Sequence, residues 1–395
     1  MRRLALIMLA LLSACAPTQV RQPAPWPVPG TGSGGGLPER LDLRPGSFSD
    51  LPGWRDDSAG AALPALVRSC DRLMKLPFDR SVGSDGSGGT VGDWYSPCSA
   101  AQRLSVNDHD TARAFFEAWF TPFLATNNGT ADGLFTGYFE PELAGSRTKK
   151  GRFTVPLLGK PKDLVVRDGP NGESQVGRVV GGRFEPYATR AEIEAGALAN
   201  LAQPLAWVED PVDAHILHIQ GSGRIRLDDG TVLRLGVAGS NGHKFVGISR
   251  IMREKGLIED TSMPAVRSWL KANPEQARSL MAQNPRYIFY RVVTGDGPLG
   301  SEGVALTAER SMAVDPKFVP LGVPLFLDTV DPAGRPLRRV VMAQDTGAAI
   351  KGAVRGDFFW GSGEPAFQQA GRMKSSGRYW LLLPKSRTPR IASAQ

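Results

Sequence analysis

Residues 345–361 read DTGAAIKGAVRGDFFWG, with Asp345 at the first position and Asp357 just before three aromatic residues. Asp345 follows a strand predicted over 337–343, so a loop there can present its side chain to a cleft. Aromatic neighbours remove water from a carboxyl group and raise its pKa toward neutrality, as a general acid requires. The stretch therefore predicts catalytic carboxylates at Asp345 and Asp357. A capped Asp-Thr-Gly turn followed by a buried aromatic strand fits the same residues, and for Asp357 this structural interpretation stays open.

Two classes of enzyme use carboxylates in this way. Asp-Thr-Gly-Ala resembles the active-site tetrapeptide of aspartic proteases, in which two carboxylates share a proton. The sequence has no second Asp-Thr/Ser-Gly, and Gln344 is polar where that pattern has an apolar residue. Carbohydrate cleavage, which normally uses a pair of carboxylates, is the alternative.

The pattern around this stretch is mainly β, with helices before it. Strands are predicted over 134–139, 176–180, 214–220, 232–235 and 323–327, the last forming a hairpin with 337–343 around the turn at 331–334. Helices are predicted over 63–76, 112–120, 244–255, 263–271 and 274–282, and a surface loop over 81–92. Helical segments on both sides of a β segment predict an α+β protein in which one β domain is inserted into another.

Composition limits the classes of partner. With 41% hydrophobic residues the chain can form a substantial core, which excludes a wholly disordered protein. Its length fits two or three domains. A formal net charge of +8 favours an acidic partner, such as nucleic acid, anionic lipid or an anionic polymer. His215 and His218 fall on opposite faces of the strand predicted over 214–220, so the sequence predicts neither a metal site nor a cofactor.

The N-terminus indicates export. Arg2 and Arg3 precede a short apolar run that ends in Leu-Ser-Ala-Cys, and this order resembles a bacterial lipobox with Cys15 as the acylated residue. We therefore predict a lipoprotein signal peptide over 1–15, a flexible tether over 16–62 and a disordered tail over 385–395. An exported protein would not meet nucleic acid. In an oxidising compartment Cys70 and Cys98 can form a disulfide, but two separate thiols remain equally open.

Several blocks, in order, resemble the membrane-bound lytic murein transglycosylase A family. They are TGYFEP (136–141), IQGSGRI (219–225), GSNGHKF (239–245), RSMAVDP (310–316) and the opening stretch. Three aspartates of the last two blocks match those for which the C-terminal domain of the family is named: Asp315, Asp345 and Asp357. The family fold implies a double-psi β-barrel domain, here 63–135 and 236–384, with a second β domain inserted at 136–235.

The resemblance also implies a function. The family cleaves the β-1,4 bond between N-acetylmuramic acid and N-acetylglucosamine in peptidoglycan without water, forming a 1,6-anhydro ring. Asp357 would be the single acid and base, Asp345 a supporting carboxylate and Asp315 a structural residue. The expected substrate-binding residues are Tyr138, Gln220, Gly221, Ser222, Gly223, Lys351, Phe358 and Trp360.

The resemblance leaves one other function open, and it predicts a cellular address. A peptidoglycan-binding lipoprotein without catalysis would use the same groove. In both cases we expect a monomer that binds glycan strands and no nucleic acid. An N-terminal acyl chain would anchor it in the outer membrane, facing the periplasm.

Overall fold

A computed structural model describes residues 38–84, 86–169, 174–295 and 297–386. The lipobox cysteine Cys15, most of the predicted tether and the tail beyond 386 lie outside the described residues. The helices are α1 (Leu63–Leu73), α2 (Val91–Ala101), α3 (His109–Trp119), α4 (Arg190–Glu194), α5 (Pro211–Gln220), α6 (Ile248–Glu254), α7 (Met263–Ala272), α8 (Pro274–Met281) and α9 (Gly363–Ala370). None of these helices combines the length and apolar character needed to cross a bilayer.

The strands fall into three sheets. In chain order they are β1 (Leu41–Pro45), β2 (Phe120–Asn127), β3 (Gly133–Glu140), β4 (Glu142–Ser146), β5 (Val155–Leu158), β6 (Val165–Asp168), β7 (Ser174–Val180), β8 (Arg183–Pro186), β9 (Pro204–Val208), β10 (Gly223–Leu227), β11 (Val232–Ser240), β12 (Ile288–Val292), β13 (Ser311–Val314), β14 (Pro324–Val330), β15 (Pro336–Asp345), β16 (Arg355–Ser362) and β17 (Lys374–Pro384). Strands β14 and β15 form the hairpin that the sequence predicts.

The first sheet closes into a barrel. Its order is β1-β2-β17-β14-β15-β13-β16-β3, and β3 also pairs with β17, so six of the strands form a ring. Strand β13 runs parallel to β15 and β3 runs parallel to β16, whereas the other pairs in the ring are antiparallel. Apolar side chains from this sheet, among them Phe135, Leu325, Val341 and Phe358, join one buried core.

The second sheet belongs to an insert between barrel strands β3 and β13. Its order is β12-β11-β10-β4-β9-β5, and helices α4 to α8 and the small sheet β6-β7-β8 lie within the same stretch of chain. The domain boundary predicted at residues 235 and 236 cuts through β11, and β12 continues the sheet. The strands of the insert therefore span 142–292, because the sheet is completed only when the chain returns through β12.

The N-terminal part of the barrel domain corrects the predicted tether, which does not extend over 38–62. Strand β1 pairs with β2, and short 3₁₀ helices follow at Phe48–Asp50, Trp54–Asp56 and Ala59–Ala62. Trp54 is 4% exposed and its ring packs against Phe326 of β14, so burial of apolar surface fixes this segment. Helices α1 and α2 are joined by a disulfide between Cys70 and Cys98.

The strand predicted over 214–220 is wrong, since these residues belong to α5. Asp210 accepts hydrogen bonds from the amides of Val212 and Asp213, and Pro211 occupies the first turn. The helix ends at Gly221. As a consequence His215 and His218 lie one turn apart on a helix rather than on opposite faces of a strand.

Candidate active site

Asp345 and Asp357 belong to one row of residues that crosses four barrel strands. Ala313 of β13 is the register partner of Asp345 on one side and of Asp357 on the other, and Asp357 is also the partner of Thr136 on β3. Side chains of directly opposed residues project from the same face of a sheet. The row therefore presents two carboxylates and a hydroxyl on one face, with only the methyl group of Ala313 between the aspartates.

Asp357 is held by a short chain of polar contacts. The hydroxyl of Thr136 donates to Asp357 Oδ1 at 2.5 Å, and Arg355 Nη2 donates to the same hydroxyl at 2.8 Å. Burial raises the pKa of Asp357 to about 6, whereas the Thr136 hydrogen bond and the charge of Arg355 oppose that rise. Asp357 therefore changes its protonation state close to neutral pH. The guanidinium of Arg355 thus acts on the Asp357 carboxyl, through its charge and through the Thr136 hydroxyl.

Asp345 is fixed by donors from two loops. Its Oδ1 accepts from the amide and hydroxyl of Ser301 at 2.8 and 2.9 Å and from the amide of Thr346 at 2.8 Å. Burial raises its pKa, and these hydrogen bonds act in the opposite direction by favouring the ionised form. The arrangement locks the orientation of Asp345, which is what a supporting carboxylate needs.

Tyr138 stands next to both aspartates. It is two residues from Thr136 on β3, so it projects from the same face, and its ring lies 5.1 Å from that of Phe359. Burial and the charges of Asp345 and Asp357 raise its pKa well above the usual value. Its buried hydroxyl interacts with the carboxyl of Asp345, and this contact adds to the rise. A neutral phenol thus faces the two carboxylates.

Strand alternation corrects one predicted contact in the aromatic stretch. Phe358, predicted from the sequence to bind substrate, has no exposed surface and joins the barrel core, so it cannot contact a ligand. Trp360 lies on the same side of β16 as Phe358, and the centroids of the two rings are 5.0 Å apart. The indole N–H of Trp360 donates to Met373 Sδ at 3.3 Å. The aromatic residue on the Asp357 face is Phe359, which is not among the predicted substrate contacts.

The predicted residues of the IQGSG block lie at the end of α5. Gln220 Oε1 accepts the amide hydrogen of Phe139 at 3.2 Å, which links this helix end to β3. Gly221 and Ser222 are partly exposed. At Gly223 a Cβ would meet Leu217 Cδ1 at 2.4 Å and the carbonyl of Pro141 at 2.9 Å. Packing inside the insert therefore requires a glycine at position 223, whether or not a sugar binds nearby.

Asp315 and Lys351 lie at another edge of the barrel. Asp315 is buried and accepts backbone hydrogens from Gly352 at 3.0 Å and Lys317 at 3.2 Å, so it joins β13 to the loop before β16. The ammonium of Lys351 is 4.0 Å from Asp315, and the side chain is 63% exposed. Lys351 remains accessible to an anionic group.

A buried carboxylate at the end of β3 joins the barrel to the insert. Glu140 is 1% exposed and forms ion pairs with Arg234 at 2.7 Å and Arg224 at 3.3 Å, both in the insert sheet. Ser362 of the barrel donates to the same carboxylate at 2.6 Å. Because breaking a buried ion pair is costly, these contacts hold the insert in a defined orientation beside the row of Asp345 and Asp357.

No cluster of three metal-binding side chains occurs in the described part of the chain. The chemistry available on the row is proton transfer by Asp357, in a setting where Asp345 and Tyr138 supply fixed polar groups. Three residues position the two aspartates: Thr136 through the register of β3 with β16, Arg355 through its hydrogen bond to Thr136, and Ser301 through its hydrogen bonds to Asp345. Thr136 opens the TGYFEP block, but sequence alone does not place it opposite Asp357.

Comparison with known proteins gives consistent matches. One family model, described as the MltA specific insert domain, matches residues 134–291, and a second, described as the 3D domain, matches 310–383. Membrane-bound lytic murein transglycosylase A of Vibrio cholerae is 31% identical over 259 residues. That alignment covers 63% of this chain and 65% of the relative, so the chain spans just under two thirds of the length of the curated relatives it matches.

Solved structures match over a greater length. The crystal structure of MltA from Neisseria gonorrhoeae is 34% identical with a TM-score of 0.76, covering 88% of this chain and 94% of that one. The lytic transglycosylase LtgG of Burkholderia pseudomallei is 41% identical with a TM-score of 0.63, covering 89% and 98%. These likenesses confirm the expected barrel with an inserted β domain. The chain belongs to the membrane-bound lytic murein transglycosylase A family.

Proposed function

We propose that this protein is a peptidoglycan lytic transglycosylase with Asp357 as its single acid and base. The observation that carries the proposal is the position of Asp357 on the barrel row, with a pKa of about 6 and contacts to Thr136 and Arg355. A carboxyl that is partly protonated near neutral pH can give a proton in one step and take one in the next. Family membership supports the same activity.

The reaction needs no activated water. Protonated Asp357 donates its proton to the glycosidic oxygen as the bond from C1 of N-acetylmuramic acid to that oxygen breaks. The resulting carboxylate then accepts the proton of the C6 hydroxyl while the C6 oxygen bonds to C1. The products are a 1,6-anhydro-muramyl end and a free N-acetylglucosamine end, and Asp357 returns to its protonated form.

The neighbours of Asp357 explain how one carboxyl can do both steps. Burial favours the neutral acid before cleavage, and Thr136 with Arg355 stabilises the anion formed afterwards. Asp345, fixed by Ser301, supplies a negative charge toward the positive charge that develops at C1. The hydroxyl of Tyr138, which lies beside Asp345, supplies a donor or acceptor to the sugar or to a carboxylate.

The groove for the glycan runs beside this row, between barrel and insert. Tyr138, Gln220, Gly221, Ser222 and Lys351 remain the proposed substrate contacts, Lys351 as the partner of a substrate carboxylate. Trp360 is retained only as a wall residue, since its indole N–H is already bonded to Met373. Asp315 is proposed to hold the loop before β16 rather than to touch substrate.

The test is the identity of the products and their dependence on Asp357. Purified protein incubated with sacculi should release 1,6-anhydromuropeptides, identified by mass spectrometry. Asp357→Asn should lower the rate by about 10²-fold or more, the usual contribution of positioned proton transfer, while sacculus binding persists. Asp328→Asn is the matched control, because Asp328 is a barrel carboxylate that pairs with Arg338 and Arg378 away from the row.

Other outcomes would contradict the proposal. Reducing-end products would indicate a hydrolase. Binding to sacculi with no soluble product would indicate a peptidoglycan-binding lipoprotein without catalysis. Full activity of the Asp357→Asn variant would move the acid role to Asp345.

We propose further that the protein is an exported monomer, anchored through an acyl chain on Cys15 in the outer membrane and facing the periplasm. The Leu-Ser-Ala-Cys sequence and the membrane-bound relatives support this address. Metabolic labelling with radioactive palmitate and membrane fractionation test it. The Cys15→Ser variant should lose the label, and labelling that persists would contradict the anchor. Light scattering of the soluble form tests the monomer.

A further inference from the structure

A large cavity lies in the insert, apart from the row of Asp345 and Asp357. Its volume is about 920 Å³, and it is lined by residues of β5, α4, β9, α5, α7 and α8 and of the loop between α4 and β9. None of the residues assigned above to catalysis or glycan binding lines it. Cavities of this size hold small organic ligands in other proteins. This space is independent of the proposed function.

The walls of the cavity are mainly aliphatic. Leu158, Ile193, Leu198, Leu270 and Met281 all line it. A sugar site is rich in hydrogen-bonding groups; here two aromatic residues, Trp207 and Tyr287, and several charged side chains line the cavity, but apolar residues form most of its walls. A flexible aliphatic chain fits them better, because it gains free energy from the apolar surface it buries.

One buried polar side chain in the cavity has no partner. His215 is 3% exposed, and neither of its ring nitrogens makes a hydrogen bond to any described residue. Its neighbour His218, one turn along α5, does have a partner, since its Nδ1 accepts the amide hydrogen of Ile288 at 3.1 Å. Buried polar groups in folded proteins are almost always paired, so His215 calls for a partner that occupies the cavity.

The neutral ring of His215 favours a neutral polar partner. Burial lowers the pKa of His215 to about 3, so the ring is neutral and offers one donor and one acceptor. The buried guanidinium of Arg190 is already bonded to the carbonyls of Asn284 and Arg286 and to Glu194. It therefore has little to offer an anion, and a hydroxyl or amide group, which both donates and accepts, matches the neutral ring.

The carboxylates at the cavity wall already have cationic partners. Glu209 pairs with Arg152 at 3.4 Å, and Asp210 pairs with Lys271 at 2.7 Å. An anionic head group would meet three carboxylates, counting Glu194, each paired with its own cation, and one further cation on the wall, Arg278, that pairs with none of them. We propose that this cavity binds a neutral amphiphile, a small molecule with an aliphatic body and one hydroxyl or amide group that hydrogen-bonds to His215.

Titration calorimetry with the purified protein tests the proposal, with decan-1-ol as the probe and decyl sulfate as its anionic counterpart, both below their aggregation limits. Decan-1-ol should bind saturably with one molecule per chain, and decyl sulfate should bind at least tenfold more weakly. No saturable binding of decan-1-ol, or equal binding of the two probes, would overturn the proposal.

Two variants separate the contribution of His215 from that of the cavity. His215→Leu keeps the space apolar and should weaken decan-1-ol binding at least tenfold, and unchanged affinity would overturn the role of His215. Ala202→Trp fills the cavity while leaving His215 in place, and it should abolish binding. Circular dichroism establishes that each variant is folded.

A crystal of the wild-type protein soaked with decan-1-ol decides the matter if either variant does not fold. Density for the alkyl chain in the cavity, with its oxygen within hydrogen-bond distance of His215, would support the proposal. Ordered water alone on His215, or alcohol bound at crystal concentration only, would overturn it.

Discussion

Replacing Thr136 by valine removes the hydroxyl that connects Arg355 to Asp357 but keeps the shape of the side chain. In the wild-type protein this hydroxyl donates to Asp357 Oδ1 at 2.5 Å and opposes the effect of burial, which leaves the pKa of Asp357 raised to about 6. Because the lost hydrogen bond favours the ionised form, the pKa of Asp357 rises further in the variant.

The size of the effect follows from the contact. A hydrogen bond to a charged group is worth about 1.5–3 kcal/mol, and about 1.4 kcal/mol corresponds to one pH unit, so the rise is about 1 to 2. The charge of Arg355 still favours the anion and holds the rise near the lower figure. In the proposed mechanism activity requires protonated Asp357 at the start of the reaction, so we expect activity to decline as pH rises through this pKa.

The assay is the initial rate of anhydromuropeptide release from sacculi across the acid-to-alkaline range. Wild-type kcat/KM should fall above about pH 6, whereas the fall for Thr136→Val should begin about one pH unit higher. The ratio of variant to wild-type activity should therefore grow about tenfold between acid and alkaline pH. Thr136→Ser, which keeps the hydroxyl, should retain the wild-type profile. If kcat/KM of the Thr136→Val variant begins to fall at the same pH as that of the wild type, or at a lower pH, the reasoning is refuted.

Three further predictions concern stability, each measured by denaturant unfolding. Gly137→Ala places a Cβ 2.7 Å from the indole of Trp360 and should destabilise the protein by about 1–3 kcal/mol, and an unchanged midpoint would contradict this packing. Cys70→Ser opens the disulfide and should cost about 3.6 kcal/mol in the chain-entropy account; equal stability of oxidised wild type and variant would contradict it. His218→Leu leaves the buried amide of Ile288 without its acceptor and should cost about 1–3 kcal/mol, whereas a stabilised variant would show that this bond contributes nothing.

The sequence predicts local structure well where one element carries its own signals. The hairpin of β14 and β15 has apolar strands on either side of an Asp-Pro-Ala-Gly turn, and α7 and α8 each have proline in the first turn. In α5 the apolar run 214–220 suggested a strand, although Asp210, Pro211 and Gly221 mark the two ends of a helix. There the capping residues were better evidence than the apolar run.

The site itself depends on pairing between distant strands. Asp345 and Asp357 could be selected from their own neighbourhood, but Thr136 is 221 residues away from Asp357 in sequence. The choice between Phe358 and Phe359 depends on which residues of β16 face the core, since a one-residue change of register reverses every side chain. The sequence holds no local signal for that parity in a run of three aromatics.

The parallel pairing of β3 with β16 has a consequence for the timing of activity. In sequence, β3 comes before the insert and β16 comes after it. The contact between Thr136 and Asp357 therefore has no local precursor, and it closes a very long loop late in folding. Strand β17, which pairs with β3 as well, is the last strand described. A nascent or truncated chain that lacks the final barrel strands cannot form this contact, so the proposed acid group is assembled only when the barrel is complete, and cleavage of the cell wall by incomplete molecules is avoided by chain connectivity alone.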